Sequence, residues 1–330
     1  MTKLFYLKYI IITCILIFSS KEQFAQNESF PDTSIVTISN KQLIIKISVV
    51  GAELQNITSR KSSREYLWQG NPDYWGQRAP ILFPFIGRLW KGGYNLEGKR
   101  YSMGVHGFAK DYVFELVRKK DSEAWFRLTS NEQMLKIYPF PFELTIGYIL
   151  ESNKLKVVWD VKNTGHSEMF FQIGGHPGFN YPDYNKNDSC HTYLSFDKMD
   201  MDKDLTYVVK ESAGFLNPDP IEHVVSLDKD GLLPVSQELF KNDAIIFQNY
   251  QVRKVTMYDL NRDKYLSVEF DIPVFTLWST PNKKAPFICI EPLWGRIDEM
   301  NMTKDMKERA WTQHISPEER FITSYEIEIF

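Results

Sequence analysis

Apolar and polar residues alternate along most of this chain, which is the side-chain period of a β-strand with one face in a core. The alternation is strict over 325–329, and turn residues separate many of the alternating segments. Two pairs of segments are spaced as hairpins, one around Glu97-Gly98 and one around 259–263. The predicted strands are 35–38, 42–47, 94–96, 99–101, 155–161, 252–258, 265–270 and 325–329.

Helical patterns are few and short. Residues 317–320 predict one helical turn after Ser316, and the polar, irregular stretch 183–235 predicts long loops. The chain has no Pro/Ser-rich linker, repeat or shift in composition, so 26–330 is predicted to be a single domain, with a division near residue 180 as the alternative. The predicted fold class is all-β, a large antiparallel β-sandwich.

The first 25 residues predict a secretory signal peptide. Lys3 and Lys8 precede an apolar stretch over 9–18, and Ala25 lies near a polar exit, so cleavage is expected after Ala25. The apolar stretch is shorter than the ~20 residues of a membrane span, although an uncleaved anchor is the alternative. We therefore expect an exported, periplasmic protein with no membrane span after cleavage.

Composition narrows the possible partners. The net charge of -3 and the lack of a basic stripe argue against nucleic acid. Cys190 and Cys289 remain after cleavage, and their wide separation favours two unpaired thiols, with a bridge left open. No Cys/His cluster predicts a metal site. Aromatic residues make up 15% of the chain, and tryptophans such as Trp278 and Trp294 could fill the core or stack on a sugar.

His176 is the first candidate for chemistry. It follows Gly174-Gly175 and precedes Pro177, so a stiff segment holds an imidazole that can transfer protons near neutral pH. A tight turn in which the histidine caps a carbonyl is the alternative. Five further short runs, each rich in aromatic, glycine, proline or charged residues, lie before and after this one in the chain. With it, the six runs are 79–88, 104–111, 138–144, 171–180, 240–247 and 288–295.

This ordered set resembles the aldose 1-epimerase (galactose mutarotase-like) family, above all its LacX-like branch, over residues 35–330. The resemblance implies a galactose mutarotase-like supersandwich with a sugar groove on one face. It also implies that His176 is the general acid and Glu291 the general base. The sequence departs from the common family pattern at Val105 and at Leu293-Trp294, which leaves the acid and base in place and the sugar preference open.

Three substrate-binding residues are also implied by the resemblance. His106 would contact the substrate, Arg88 would bind sugar hydroxyls, and Asp243 would bind a further hydroxyl. Each has a structural alternative: His106 as a core histidine, Arg88 as an ion-pair partner, and Asp243 as a cap of the turn before 244–247.

The implied activity is mutarotation of a free hexose or related aldose, by a monomer or weak dimer that needs no metal or organic cofactor. Ring opening needs one acid and one base, so we expect a bell-shaped pH profile, with Glu291 limiting the acid side and a carboxylate-raised His176 pKa limiting the alkaline side. The alternatives are a non-catalytic carbohydrate-binding protein, a glycoside hydrolase using Asp243 and Glu291, and a sugar-phosphate mutarotase, for which Arg88 and Arg296 are the basic candidates.

Overall fold

The computed structural model describes residues 34–211 and 214–330, in which nearly every regular element is a β-strand. The predicted signal peptide lies outside the described residues. Numbered along the chain, the strands are β1 Ile35–Ser39, β2 Leu43–Ser48, β3 Leu54–Ser59, β4 Ile81–Leu82, β5 Gly93–Leu96, β6 Lys99–Ser102, β7 Glu115–Lys120, β8 Glu123–Thr129, β9 Phe142–Glu151, β10 Lys154–Asn163, β11 Met169–Phe171, β12 Ile173–Gly175, β13 Gly178–Asn180, β14 Thr192–Lys198, β15 Thr206–Val209, β16 His223–Val224, β17 Leu233–Val235, β18 Ile245–Phe247, β19 Val252–Tyr258, β20 Lys264–Phe270, β21 Val274–Trp278, β22 Phe287–Trp294, β23 Gln313–Ile315 and β24 Arg320–Ile329.

Two large sheets dominate the fold. The nine-stranded sheet has the order β17-β14-β19-β20-β24-β10-β9-β8-β7, and its long central strand β10 is antiparallel to both β9 and β24. The eight-stranded sheet has the order β16-β15-β18-β21-β22-β12-β4, with β13 also paired to β22. The prediction of an all-β, antiparallel β-sandwich is confirmed.

Smaller elements surround these sheets. Strands β1-β2-β3 form a three-stranded sheet, and β5-β6 and β11-β23 form two-stranded sheets. A short helix, α1, spans Glu132–Ile137, and the Asn131 side chain caps it by accepting hydrogen bonds from two backbone N–H groups. Among the described residues, no helix is long and apolar enough to cross a membrane.

Two local predictions are wrong. The stretch 183–235, predicted as loops, contributes four strands, and β14 lies between β17 and β19 inside the larger sheet. Its buried positions Thr192 and Leu194 alternate with half-buried polar or aromatic ones, so the strand looked irregular in a polar context. Residues 317–320 form a tight turn and not a helical turn, because Glu318 has φ 63°.

The two sheets share one hydrophobic core. On β22, Ile288 and Ile290 point into that core, so Cys289 and Glu291 lie on the opposite face of the strand. Gly175 of β12 approaches the larger sheet so closely that a Cβ there would lie 3.1 Å from the Tyr325 hydroxyl and 3.2 Å from the Trp159 ring. The two sheets therefore approach each other closely beside the segment that carries His176.

Candidate active site

Strand pairing brings His176 to Glu291. Strands β12 and β13 both pair with β22, at Leu293 and Cys289 respectively, and the His176-Pro177 step lies between them. The Pro177 carbonyl accepts a hydrogen bond from the Ile290 N–H, so this step stays against β22 at the level of Glu291. Pro292 has no N–H to donate, which suits a position where the regular ladder is interrupted.

The glycines before His176 serve close packing. Neither has positive φ, but a Cβ on Gly174 would lie 2.5 Å from the Leu293 side chain. Close approach to a neighbouring strand, and not positive φ, is therefore what these glycines allow. This close approach lets β12 lie beside β22 in the sheet and fixes the position of the imidazole that follows.

His176 and Glu291 form a buried pair. The His176 Nδ1 atom lies 3.4 Å from the Glu291 Oε1 atom, and the two residues are 7% and 4% exposed. No hydrogen-bond partner of His176 Nδ1 occurs within residues 34–211 and 214–330. A separation of 3.4 Å leaves no room for a pyranose between these side chains, so a sugar that reached both groups would lie over them together.

Burial controls the protonation of this pair. It lowers the pKa of His176 well below its usual value, with the neighbouring His106 contributing, and it raises the pKa of Glu291 well above its usual value. The expectation that a carboxylate raises the pKa of His176 is therefore wrong, because desolvation of the imidazolium is the largest influence on this pKa and it lowers it. Both shifts favour the uncharged forms, a neutral imidazole and a protonated carboxyl group, which together hold one proton.

His106 contacts this pair from the side. Its ring centroid lies 5.5 Å from that of His176, and its backbone has φ 65°, followed by Gly107 at φ 70°. The His106 N–H donates to the Gly87 carbonyl, and the Gly87 N–H donates to His106 Nδ1 at 3.1 Å. Burial, helped by the positive charge of Lys210, lowers the pKa of His106 to about 3. A neutral ring with Nδ1 as acceptor carries its proton on Nε2 and can donate it to a ligand.

Asp243 and Lys210 form an ion pair at the pocket. The Lys210 Nζ atom lies 3.0 Å from Asp243 Oδ1, and Asp243 has φ 74°. In the described ranges no backbone N–H donates to the Asp243 carboxylate, so the turn-cap alternative finds no support there.

Arg88 is exposed, and its guanidinium lies 5.9 Å from the centre of the Phe215 ring. No carboxylate among residues 34–211 and 214–330 lies within 4.0 Å of it, so the ion-pair alternative for Arg88 finds no support in this part of the chain. Arg296, by contrast, pairs with Glu299 and donates to the Gln248 side chain at 3.1 Å.

Two tryptophans enclose His176. The Trp75 ring stacks on the imidazole at 4.7 Å between centroids, and Trp278 meets it edge-on at 5.5 Å. Trp278 therefore belongs to the pocket, whereas Trp294 packs against Phe321 at 5.4 Å and does not line it. The question that the sequence left open for these two tryptophans has a different answer for each.

All five predicted site residues line one cavity of about 270 Å³. Sequence reasoning missed Trp75 and Lys210, which line the same cavity. Trp75 lies in a turn of mostly polar residues, and a tryptophan in such a context was an available signal. Lys210 gave none, because it follows β15 within the stretch assigned to loops. The side chains that give the cavity its character are Trp75, Arg88, His106, His176, Lys210, Asp243, Trp278, Glu291 and Arg296.

Cys289 lies beneath the pair. Its Sγ atom and ligand atoms of His176 and Glu291 all lie within 4.8 Å of one another, a separation that could hold a metal ion. Burial and the nearby Glu291 raise the pKa of the Cys289 thiol well above its usual value, which disfavours the thiolate that a metal would need. Both Cys190 and Cys289 are free, as the sequence favoured. The expectation of a metal-free site stays a prediction.

The fold and the pocket place this chain in the class of galactose mutarotase-like β-sandwich proteins. A sequence model described as aldose 1-epimerase matches residues 34–319, and the chain belongs to that family. It is 30% identical over 313 residues to the chromosomal LacX protein of Lactococcus lactis subsp. lactis, an alignment that covers 89% of this chain and 99% of that protein.

Solved structures show the same similarity to galactose mutarotase-like proteins. One is a galactose mutarotase related enzyme from Lactobacillus acidophilus, with 31% identity, a TM-score of 0.81, and coverage of 90% of this chain and 97% of that one. Another is a galactose mutarotase-like protein from Lactobacillus casei ATCC 334, with 29% identity, a TM-score of 0.83, and coverage of 90% and 100%. The similarity thus extends over nearly the whole length of both relatives.

Proposed function

We propose that this protein is an aldose 1-epimerase that interconverts the α and β anomers of a free aldose. The observation that carries the proposal is the buried His176–Glu291 pair, 3.4 Å apart, at a cavity of about 270 Å³. A carbohydrate-binding protein needs hydroxyl partners and aromatic faces, but it has no use for an acid and a base that share a proton. Membership of the family and the catalytic name of one structural relative add support.

Ring opening needs one proton to be available on the His176–Glu291 pair. One member accepts the proton of the anomeric hydroxyl while the other gives its proton to the ring oxygen, the C1–O5 bond breaks and C1 becomes a carbonyl carbon. Rotation about C1–C2 and the reverse transfers then close the ring from the other face. Both oxygens are bonded to C1, so two groups that lie side by side can serve them.

The roles of acid and base follow the position of the shared proton. Because burial favours the uncharged form of each group, we assign the proton to Glu291 in the free pocket, so that Glu291 gives it to the ring oxygen and His176 accepts from the anomeric hydroxyl. This is the reverse of the assignment taken from the family resemblance. Ring closure uses the other tautomer of the pair, with the proton on His176, and restores the starting one, so the same pair serves both directions of the reaction.

The other polar groups bind and orient the sugar. His106 donates from Nε2, Asp243 accepts from hydroxyls, and the Trp75 and Trp278 rings limit the space around His176. These contacts raise the effective concentration of the reacting groups.

Polarimetry tests the proposal. Freshly dissolved α-D-glucose and α-D-galactose should equilibrate faster with wild type than in buffer, and His176→Asn and Glu291→Gln should each lower kcat by at least ~100-fold. His314→Asn and Glu168→Gln are matched controls, because His314 and Glu168 form an exposed pair of the same residue types. Wild type that matches buffer on a broad panel of aldoses would favour the non-catalytic carbohydrate-binding protein instead.

The sequence also suggests where this activity would take place. If residues 1–25 are a signal peptide, we propose a periplasmic enzyme that meets free sugars outside the cytoplasm. Fractionation of cells that produce the full chain tests this, with amino-terminal sequencing of the exported form expected to begin near Gln26.

A further inference from the structure

The charges around the cavity do not cancel. Three cationic side chains line it, but two of them already have partners: Lys210 pairs with Asp243, and Arg296 pairs with Glu299. Arg88 is left, since no described carboxylate lies within 4.0 Å of its guanidinium. The His176–Glu291 pair adds no net charge while it holds the single proton that the proposed function requires.

Arg88 lies where a substituent of the sugar can reach it. His176 and Glu291 are buried, whereas Arg88 is exposed and also borders the adjoining surface formed with Val105 and Phe215. Arg88 lines the same cavity as the buried pair, so a sugar bound with C1 over the pair can place a substituent of another ring carbon beside the guanidinium. In a uronic acid the substituent on C5 is a carboxylate.

We propose that the preferred substrate is an acidic aldose, a uronic acid whose carboxylate pairs with Arg88. A guanidinium presents a planar fork that matches the two oxygens of a carboxylate. One uncompensated positive charge matches a monoanion, and a phosphate ester with nearly two negative charges would leave excess negative charge beside Asp243. Placing the charge at the rim also costs less desolvation than placing it at the floor.

This inference rests on the proposed function, but its test separates the two. Mutarotation of freshly dissolved D-galacturonate and D-glucuronate is compared with that of the parent aldoses and of the neutral uronamides. We expect kcat/KM to be about tenfold or more higher for the uronates, which is the usual worth of a hydrogen bond to a charged group. Raising the salt from about 0.01 M to about 1 M should reduce the advantage, because ions screen the attraction.

The variant Arg88→Gln should bring the ratio of uronate to neutral aldose close to one. Arg253→Gln is the matched control, since Arg253 is an exposed arginine on β19 that pairs with Asp197. It should leave the ratio unchanged. Because the measured quantity is a ratio between two substrates, a general loss of folded protein does not imitate the expected result.

Three outcomes overturn parts of the scheme separately. A neutral aldose that is turned over as well as its uronate refutes the acidic substrate and leaves the mutarotase intact. A 6-phosphate sugar that outperforms the uronate refutes the carboxylate. If no sugar is turned over, the mutarotase proposal is refuted. Quenching of the tryptophan fluorescence by D-galacturonate then tests whether the ligand is acidic. Arg88-dependent binding that is tighter than galactose binding supports an acidic ligand, and equal binding of the two sugars refutes it.

Discussion

The Nδ1 atom of His106 accepts a hydrogen bond from the Gly87 backbone N–H at 3.1 Å, so the surrounding turn selects the tautomer of this ring. Because burial lowers the pKa of His106 to about 3, the ring should stay neutral, with its proton on Nε2, from pH 8 to about pH 5. Nitrogen-15 NMR of labelled protein measures this, with His106→Gln to assign the signal. An imidazolium spectrum at about pH 6 would contradict the hydrogen-bond assignment.

The same pKa has a consequence for stability. A histidine titrates near its ordinary pKa of 6.5 in the unfolded chain, so between that pH and about 3 the unfolded state binds more protons than the folded state. The free energy of unfolding of wild type should therefore fall as the pH falls below 6.5. The loss between pH 7 and pH 5 should be smaller in His106→Gln, and urea titrations at both pH values measure it. Equal losses in the two proteins would show that His106 titrates normally.

The pH profile of kcat/KM follows from the pair. Activity needs one proton on His176 and Glu291 together, so it is lost when a second proton binds His176 at low pH and when Glu291 loses the last proton at high pH. Because burial lowers the first pKa and raises the second, the plateau should be broad and show no inflection at 6.5. An inflection at that pH would contradict this expectation, and a fall in activity on its alkaline side would restore the original assignment, in which loss of the His176 proton limits the alkaline side.

Lys210 should influence the pH at which kcat/KM falls on the alkaline side of the profile. Its positive charge lowers the pKa of Glu291, in opposition to burial and to Asp243. In Lys210→Met the pKa of Glu291 should rise, so the alkaline limb should move to higher pH while its shape stays the same. A pH series with Lys203→Met as the control measures this, because Lys203 lies in an exposed pair with Asp200. A limb that does not move would remove Lys210 from the electrostatics of the site.

Trp75 should hold the imidazole in place. The two rings stack at 4.7 Å with an angle of 27° between their planes. Trp75→Ala should lower kcat/KM about three- to tenfold, the usual worth of an aromatic pair, and Trp75→Phe should restore most of the loss. If the phenylalanine variant is as slow as the alanine variant, stacking is not what Trp75 contributes.

Gly174 should tolerate no side chain. A Cβ would lie 2.5 Å from the Leu293 side chain, so Gly174→Ala should destabilise the protein by about 1–3 kcal/mol, the usual cost of overpacking. Gly76→Ala is the control, since a Cβ there meets nothing closer than 4.0 Å. Chemical denaturation compares the two variants, and equal stability would show that β12 can move away from β22.

The strand pattern predicted the architecture because alternation is a local property of the sequence. It failed at β14, where polar residues on the outer face concealed the buried positions Thr192 and Leu194. The five site residues could be named from ordered motifs, and the structure brings them together. The pKa of His176 could not be predicted in the same way, since it depends on how completely the fold excludes water from the ring.

Lys210 shows a second limit of prediction from the sequence. It lies just after β15, far along the chain from His106 and Glu291, yet its charge influences both. Nothing in the neighbouring residues marks it as part of a site. Only the pairing of β15 with β18, which also leads to Asp243, places it there.

The step between β12 and β13 sets the spacing of the two proposed catalytic groups through backbone pairing and not through a loop. The rim residues Arg88 and Val105, in contrast, lie outside the regular strands. Changes at the rim can therefore alter which sugars are accepted while the reacting atoms keep their separation. Because the rim and the strands that carry the pair are separate, related proteins could differ in substrate while they keep the same reaction.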